Sequence, residues 1–441
     1  MSVQTFPIEG GIGSLVSVAT QKLPPAPKTI EETGLDSTFL VELAAKAMFV
    51  RGQSSLADLC HELRLPASVL ESLLAFMRAE RLVEVVRRGA AEGDVHYQLT
   101  DTGRIRAAGF LERRGYAGAA PVSLRAYCDM IEAQSVADVH VTSEEVHKAF
   151  ADQVLSPRLL DQVGAAMNSG RAMFLYGPAG SGKTYLAERL RRLLRGDIVL
   201  PYAINVGAEV IQVFDPIVHE PVAEPASGEG AFDRSVTSDL RWIRCRRPVV
   251  LSGGELKLSM LDLDFDEATG YYQAPPHVKA NNGIYVVDDL GRQQVAVRDL
   301  LNRWIVPLDR RIDYLSLRTG HKFKVPFDVV VVFSTNLKPS DLVDEAFLRR
   351  IGHKIRFAPM AEADYRAVFR NVCAEYGIPY SEPMFAKLLR DYHAAMGRPL
   401  LACYPRDLLS QVRDFALYEG VAPTLTAEAL DRAWHNYFIE E

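Results

Sequence analysis

"MFLYGPAGSGKTYLAERLRRLL", Met173 to Leu194, is the stretch on which the reading of this chain turns. Four apolar residues of strand character run into a glycine-rich break, and apolar positions of helical spacing follow it. Gly177, Gly180 and Gly182 let backbone N–H groups converge on phosphate oxygens at a helix amino terminus, where the peptide dipoles favour an anion. Lys183 has the reach for β- and γ-phosphates, and Thr184 offers a hydroxyl to Mg²⁺. Gly177, Pro178, Ala179, Gly180, Ser181, Gly182, Lys183, Thr184 and Tyr185 are the expected nucleotide cradle.

A phosphate loop of this kind calls for a second strand that ends in an acid for the metal. "IYVVDDLGR", Ile284 to Arg292, has that form, an apolar run closed by two carboxylates. Asp288 is the expected metal partner of Thr184, and Asp289 stands where a carboxylate positions the attacking water. "FDVVVVFSTNL", Phe327 to Leu337, reads as another buried strand that ends in Ser334, Thr335 and Asn336, and a polar residue at this tip is placed to orient that water. Beyond it, "DLVDEAFLRRIGHKIRF" offers Arg349 and Arg350, and "CYPRDLLSQVRDFALYEG" offers Arg406 near the start of a helix.

The bulk composition narrows the classes further. A chain of 441 residues, 48% of them hydrophobic, has material for two or three domains with substantial cores. Its net charge of −6 provides no chain-wide basic field for nucleic acid or an anionic membrane. Five scattered cysteines without a Cys-x-x-Cys pair suggest neither a zinc site nor a disulfide framework and fit a reducing cytoplasm. The longest purely apolar run, Val329 to Phe333, is far too short for a bilayer, so no membrane insertion is expected. "GIGSLVSVA" followed by "KLPPAPK" reads as a flexible tail over residues 1–35.

After the tail come three segments of helical periodicity, "STFLVELAAKAMFV", "SSLADLCHEL" and "PASVLESLLAFMRAE", then two strand-like pieces, "LVEVV" and "VHYQLT". Three helices and a hairpin over residues 36–115 form a winged-helix pattern. The third helix would be the one to enter a DNA groove, yet its outward positions are Ser68, Glu71, Ser72, Ala75 and Arg78, poor in cations. Residues 1–120 carry 13 basic against 14 acidic side chains, which favours a protein contact and leaves DNA as the alternative, held open by Arg87, Arg88, Arg104, Arg106, Arg113 and Arg114. Residues 116–150 read as a linker with a helix at "TSEEVHKAF".

The order of glycine loop, acid strand, polar strand tip, paired arginines and late Pro-Arg resembles the AAA+ ATPases over residues 150 to 441. The resemblance implies an α/β P-loop core of parallel strands flanked by helices, at 151–358, and a C-terminal helical lid at 359–441, with ATP and Mg²⁺ as ligands. It makes Lys183 and Thr184 the Walker A site, Asp288 and Asp289 the Walker B site, and Asn336 sensor 1. Arg349 or Arg350 becomes a finger that reaches a neighbour's ATP in a ring, expected to be a hexamer, and Arg406 becomes sensor 2. Relatives usually carry Glu at the position of Asp289, so the shorter side chain raises the alternative of a slow or non-hydrolysing assembly switch. "YPRDLLSQVRDFA" is similar to RuvB-type motors, while "FDEATGYYQAPPHVKANNG" and "DYLSLRTGHKFKVPF" resemble the two inserts of the MoxR, magnesium-chelatase and NtrC branch. Where the NtrC-type activators have Gly-Ala-Phe-Thr-Gly-Ala, this chain has Ala268-Thr269-Gly270-Tyr271. "TIEETGLD", "IVHEPV" and "VDEAFLRRIGHKI" resemble bacterial AAA+ proteins described as ATPases with chaperone activity, which implies remodelling of a protein client whose identity stays open. Tyr271 and Tyr272 are read either as pore aromatics or as core packing, and "RWIRCRR" (Arg241–Arg247) either as a single-strand contact or as a subunit interface.

Overall fold

A computed structural model describes residues 22–88, 95–222, 238–342 and 345–438. The first part of the expected tail, residues 1–21, and the expected wing turn at 89–94 lie outside the described residues.

The amino-terminal unit contains α1 (Ser37–Arg51), β1 (Ser54–Ser55), α2 (Leu56–Leu63), α3 (Ala67–Ala79), β2 (Val83–Arg88), β3 (Val95–Leu99) and α4 (Asp101–Arg113). Ser55 and Asp58 form a reciprocal capping box that starts α2. The strands form one antiparallel sheet in the order β1-β3-β2, packed on the four helices. On α3, Val69, Leu70, Leu73, Leu74 and Met77 face inward, and Ser68, Glu71, Ser72, Ala75, Phe76 and Arg78 are exposed.

Residues 22–35, expected in the tail, are packed instead. Asp239 N–H donates to Pro24 O at 2.8 Å, Pro25 bridges to Ser238, and Leu35 is buried. The expected linker carries the helix expected at "TSEEVHKAF", α6 (Ser143–Ala149), and is folded before it too: β4 (Val122–Ser123) pairs with the strand Ala203–Val206, and α5 (Leu124–Ala133) follows. Apolar residues in both stretches account for the difference, since Val122, Tyr127 and Ile131 have core to cover.

The core begins with α7 (Pro157–Ser169), β5 (Met173–Tyr176) and α8 (Lys183–Arg189). Then follow β6 (Asp197–Pro201), β7 (Ala203–Val206), β8 (Glu209–Gln212), β9 (Trp242–Arg246), β10 (Val249–Ser252), β11 (Asp264–Asp266), β12 (Tyr271–Gln273) and β13 (Gly283–Val287). The hairpin β14 (Ile312–Ser316) and β15 (Lys322–Pro326), then β16 (Val329–Thr335) and β17 (His353–Arg356), complete the strands. The main sheet is parallel throughout, in the order β10-β13-β16-β5-β17.

Every residue of β13 and β16 is buried, as expected for strands covered by helices on both faces. Alternation divides them: Leu175, Ile284, Val286, Val330 and Val332 meet α7 and α8, whereas Phe174, Tyr285, Val331 and Phe333 meet Leu300, Leu301 and Trp304 on the other face. The P-loop strand thus lies inside the sheet, with the tips of β16 and β17 beside its own.

A second sheet, β11-β12-β8-β7-β4, carries the amino-terminal unit. Tyr271 stacks edge-on against Tyr116 at 5.2 Å and joins that unit's core, and Tyr272 is buried under β14–β15, so both tyrosines pack and neither is free to face a pore. A Cβ on Gly115 would lie 2.2 Å from Thr269 O, so this close approach of two backbones requires glycine. Arg241 is buried, paired with Asp239 at 2.8 Å, and donates to Thr33 O and Pro121 O at 2.8 and 3.2 Å. Arg247 is buried as well and donates to Gln134 O and Asn282 O. Both ends of "RWIRCRR" therefore tie chain segments together.

The β14–β15 hairpin is anchored by Asp313, which accepts from His277 Nε2 at 2.8 Å and from Arg303 Nη1 and Nη2 at 2.7 and 2.9 Å. Burial pushes this carboxyl up, but the hydrogen bonds from His277 and Arg303 outweigh it and hold the group at about 2, below its ordinary 3.8. A depressed native pKa stabilises the fold above the unfolded value and loses that effect as pH falls through the native one. The contribution is therefore complete at neutral pH and fades from 3.8 to about 2. Asp313→Ala leaves buried His277 and half-buried Arg303 without the carboxylate they share and should lower stability by about 2 kcal/mol at neutral pH; an unchanged urea midpoint would refute this.

Candidate functional site

The carboxyl ends of parallel strands, where helices begin and backbone N–H groups point outward, are the usual ligand edge of such sheets. Here that edge borders a cleft of about 1300 Å³ between the core and the helices after residue 359. It is lined by Ala179 to Tyr185 of the loop, Asp289, Asn336 and Arg292 from the strand tips, and Met360, Cys403 and Arg406 from the helical segment.

The sheet order explains which groups meet. Because β16 lies between β5 and β13, the residue after its tip can touch both neighbours. Asn336 accepts from Lys183 Nζ at 2.8 Å through Oδ1 and donates to Asp289 Oδ1 at 3.0 Å through Nδ2. Lys183 Nζ also donates to Gly177 O at 3.0 Å and Pro178 O at 2.9 Å, so all three ammonium protons have acceptors. Burial lowers the Lys183 pKa from its ordinary value, opposed by Asp288 and Asp289.

Thr184 Oγ1 lies 3.0 and 2.9 Å from the two Asp288 oxygens. A hydroxyl and a carboxylate at one point are the oxygen donors a hard cation takes, and they suit Mg²⁺ that completes its shell with water and phosphate oxygens. Among the described residues no group of three or more His, Cys, Asp or Glu could hold a metal by itself.

Asp289 has a positive φ of 48°, which costs roughly 1 kcal/mol or more and which Asp tolerates better than most residues. Gln293 Nε2 braces this turn by donating to Asp288 O at 2.8 Å.

Arg406 extends from the Cys403–Glu419 helix into the cleft wall and donates to both oxygens of Glu375 at 2.9 and 2.8 Å. Tyr185 is half exposed at the rim, with the Arg189 guanidinium 3.4 Å from its ring centre.

Arg349 and Arg350 do not reach this cleft. With Arg171, Arg310 and Arg311 they line a separate cavity of about 760 Å³ at the opposite, amino-terminal end of β5. Arg350 Nε donates to Asp309 at 2.9 Å, and Arg349 pairs with Glu345 one turn away at 3.3 Å.

Other cleft residues escaped the sequence reading. Arg292, Lys354, Arg356 and Cys403 stood in quoted motifs without a role, whereas Gln153 and Glu375 have no motif signal and join the cleft only through folding. Cys403 N–H donates to Gly180 O at 3.0 Å, which joins the helical segment directly to the phosphate loop.

Residues 172–351 match the family model of the AAA domain, dynein-related subfamily, and residues 361–436 match a domain of unknown function (DUF8689). The main sheet and its helices are an α/β P-loop AAA core followed by a helical segment. No curated protein matches the sequence. Among solved structures, NtrX of Brucella abortus in complex with ATP is 14% identical over 64% of this chain, with a TM-score of 0.38, and the alignment spans 58% of the NtrX chain. The RuvB Holliday junction branch migration motor of Thermotoga maritima is 13% identical over 69% of this chain and 74% of its own, with a TM-score of 0.35.

A Cβ on Gly180 would lie 2.3 Å from Cys403 Sγ, at a φ of 75° that favours glycine. Gly180→Ala should therefore lift the helical segment from the loop and raise the alkylation rate of Cys403 severalfold, followed by peptide mass mapping. An unaltered rate would show that the contact tolerates a side chain.

Proposed function

We propose that the protein is a Mg²⁺-dependent ATPase that binds ATP in the cleft, hydrolyses it with water as nucleophile, and works as a ring to remodel a protein partner. The observation that carries this reading is the linked set Thr184–Asp288 and Lys183–Asn336–Asp289 at the tips of three adjacent strands. Phosphates entering the loop take Lys183 away from Gly177 O, Pro178 O and Asn336, and backbone N–H groups at the start of α8 cradle the charge. Released from Lys183, Asn336 still holds Asp289, which positions water in line with the γ-phosphate and draws on its proton. Mg²⁺ bound at Thr184 and Asp288 would neutralise charge that develops on the phosphate oxygens.

Arg406 belongs to the helical lid and would swing from Glu375 to phosphate as the lid closes. Arg349 and Arg350 face away from their own cleft, which suits arginines that serve an adjacent subunit. Arg349 is 76% exposed, and the pair it makes with Glu345 is exposed and of little strength, so it is the proposed finger, with Arg350 docked on Asp309 as its support.

The amino-terminal unit is read as a winged helix that presents α3 to the partner. Exposed Phe76 beside Glu71 and a single Arg78 on that face favours protein over DNA.

Turnover per protomer should rise steeply with protein concentration in wild type and be absent in Lys183→Ala. ATP binding with no turnover above that blank at any concentration would leave only the assembly switch. Mixing Arg349→Ala with Lys183→Ala should restore activity that neither has alone, because some interfaces then combine an intact loop with an intact finger. A mixture no more active than its components would rule out the shared site.

A further inference from the structure

The strand tips account for the phosphate end of the cleft but leave its other end without a reader for the base. That end lies where the approach to α7 faces the lid, with half-buried Leu155 and Leu159 on one wall and Met360, Val368 and buried Val372 on the other. Two apolar walls of this kind suit a flat heteroaromatic ring. Polar groups are few there. Gln162 and Asn371 line the cleft but are exposed, so water already serves them.

Gln153 is different. Its Oε1 and Nε2 are both enclosed, and among the described residues neither has a hydrogen-bond partner. Its backbone N–H is held by Phe150 O at 2.9 Å, and the adjacent Asp152 is paired with Arg192 at 2.7 Å, so the segment that carries it is anchored on both counts. An enclosed primary amide without partners is unfavourable, and native folds seldom leave one unless something else supplies the contacts. Carbonyl and NH₂ side by side complement one donor and one acceptor side by side. Adenine presents that pair as its 6-amino group and an adjacent ring nitrogen, the pairing a glutamine amide makes with adenine in other settings.

We propose that Gln153 reads the adenine base, its Oε1 accepting from the 6-amino group and its Nε2 donating to the neighbouring ring nitrogen. The inference rests on the ATP-site reading above and adds the residue that recognises the base. The ring then stacks between the core wall of Leu155 and Leu159 and the lid wall of Met360 and Val368, which line the same cleft as Gln153. Base recognition is thereby linked to lid position, since half of the slot belongs to the lid.

The test measures binding of ATP and of purine riboside 5′-triphosphate, which lacks the 6-amino group, to the full chain with Mg²⁺ by calorimetry. Wild type, Gln153→Met and Lys183→Ala are compared. Methionine keeps the length of the side chain and removes both polar atoms. We expect wild type to prefer ATP about tenfold, a value that one net hydrogen bond supplies, and Gln153→Met to lose that preference, with ATP weakened about tenfold more than the purine analogue, which forfeits only the bond from Nε2 to its ring nitrogen. Equal weakening of both nucleotides in Gln153→Met would mark a structural role and overturn the inference, as would an intact ATP preference. Failure of the underlying site reads differently: wild type and Lys183→Ala would then bind ATP alike, or not at all, whatever happens at Gln153.

Discussion

The central constraint is the position of β16 between the phosphate-loop strand β5 and the acid strand β13. In a parallel sheet all carboxyl ends lie on one edge, so three tips are brought level, with Thr335 opposite Tyr176 and Val287 opposite Phe333. Asn336 follows the middle tip and is, among the described residues, the one side chain hydrogen-bonded to both Lys183 and Asp289. Were β13 adjacent to β5, the amide would have no reason to stand between cation and carboxylate. The chemistry of the cleft follows from strand order, and strand order from the burial of uninterrupted apolar strands under helices on both faces.

A second constraint is the fusion of the amino-terminal unit with the insert. Tyr116 against Tyr271, Gly115 against Thr269 O, and Arg241 bridging Thr33 O and Pro121 O leave little freedom between the two. The β12 strand that carries Tyr271 leads through the helix Pro276–Lys279 directly into β13 and Asp288. A displacement of the acid strand is thus mechanically continuous with the surface that presents α3, without a flexible linker to absorb it.

Much of the site was legible beforehand because its parts are local in the chain. The loop from Gly177 to Thr184 combines glycine geometry, an ammonium and a hydroxyl within eight residues, and the acids end a run of strand-type residues. What could not be read was packing at a distance. The expected linker and much of the expected tail fold against the insert, because a periodicity argument measures what a segment could bury and says nothing about the distant surface available to it. The two tyrosines and the end arginines of "RWIRCRR", Arg241 and Arg247, became structural for the same reason.

The amino-acid sequence by itself determined the parallel-strand core, the phosphate loop, both acids and the polar tip of β16, since these depend on residue type, spacing and backbone freedom within short windows. Tertiary structure alone decided that Asn336 bridges Lys183 and Asp289, that Cys403 docks the helical segment on Gly180, that Arg349 and Arg350 turn away from their own cleft, and that Gln153 is enclosed without a partner among the described residues. Each of these joins positions far apart in the chain or sets a side chain among such positions. Their meeting is fixed by how helices and strands stack, a property of the whole folded surface that no local window contains.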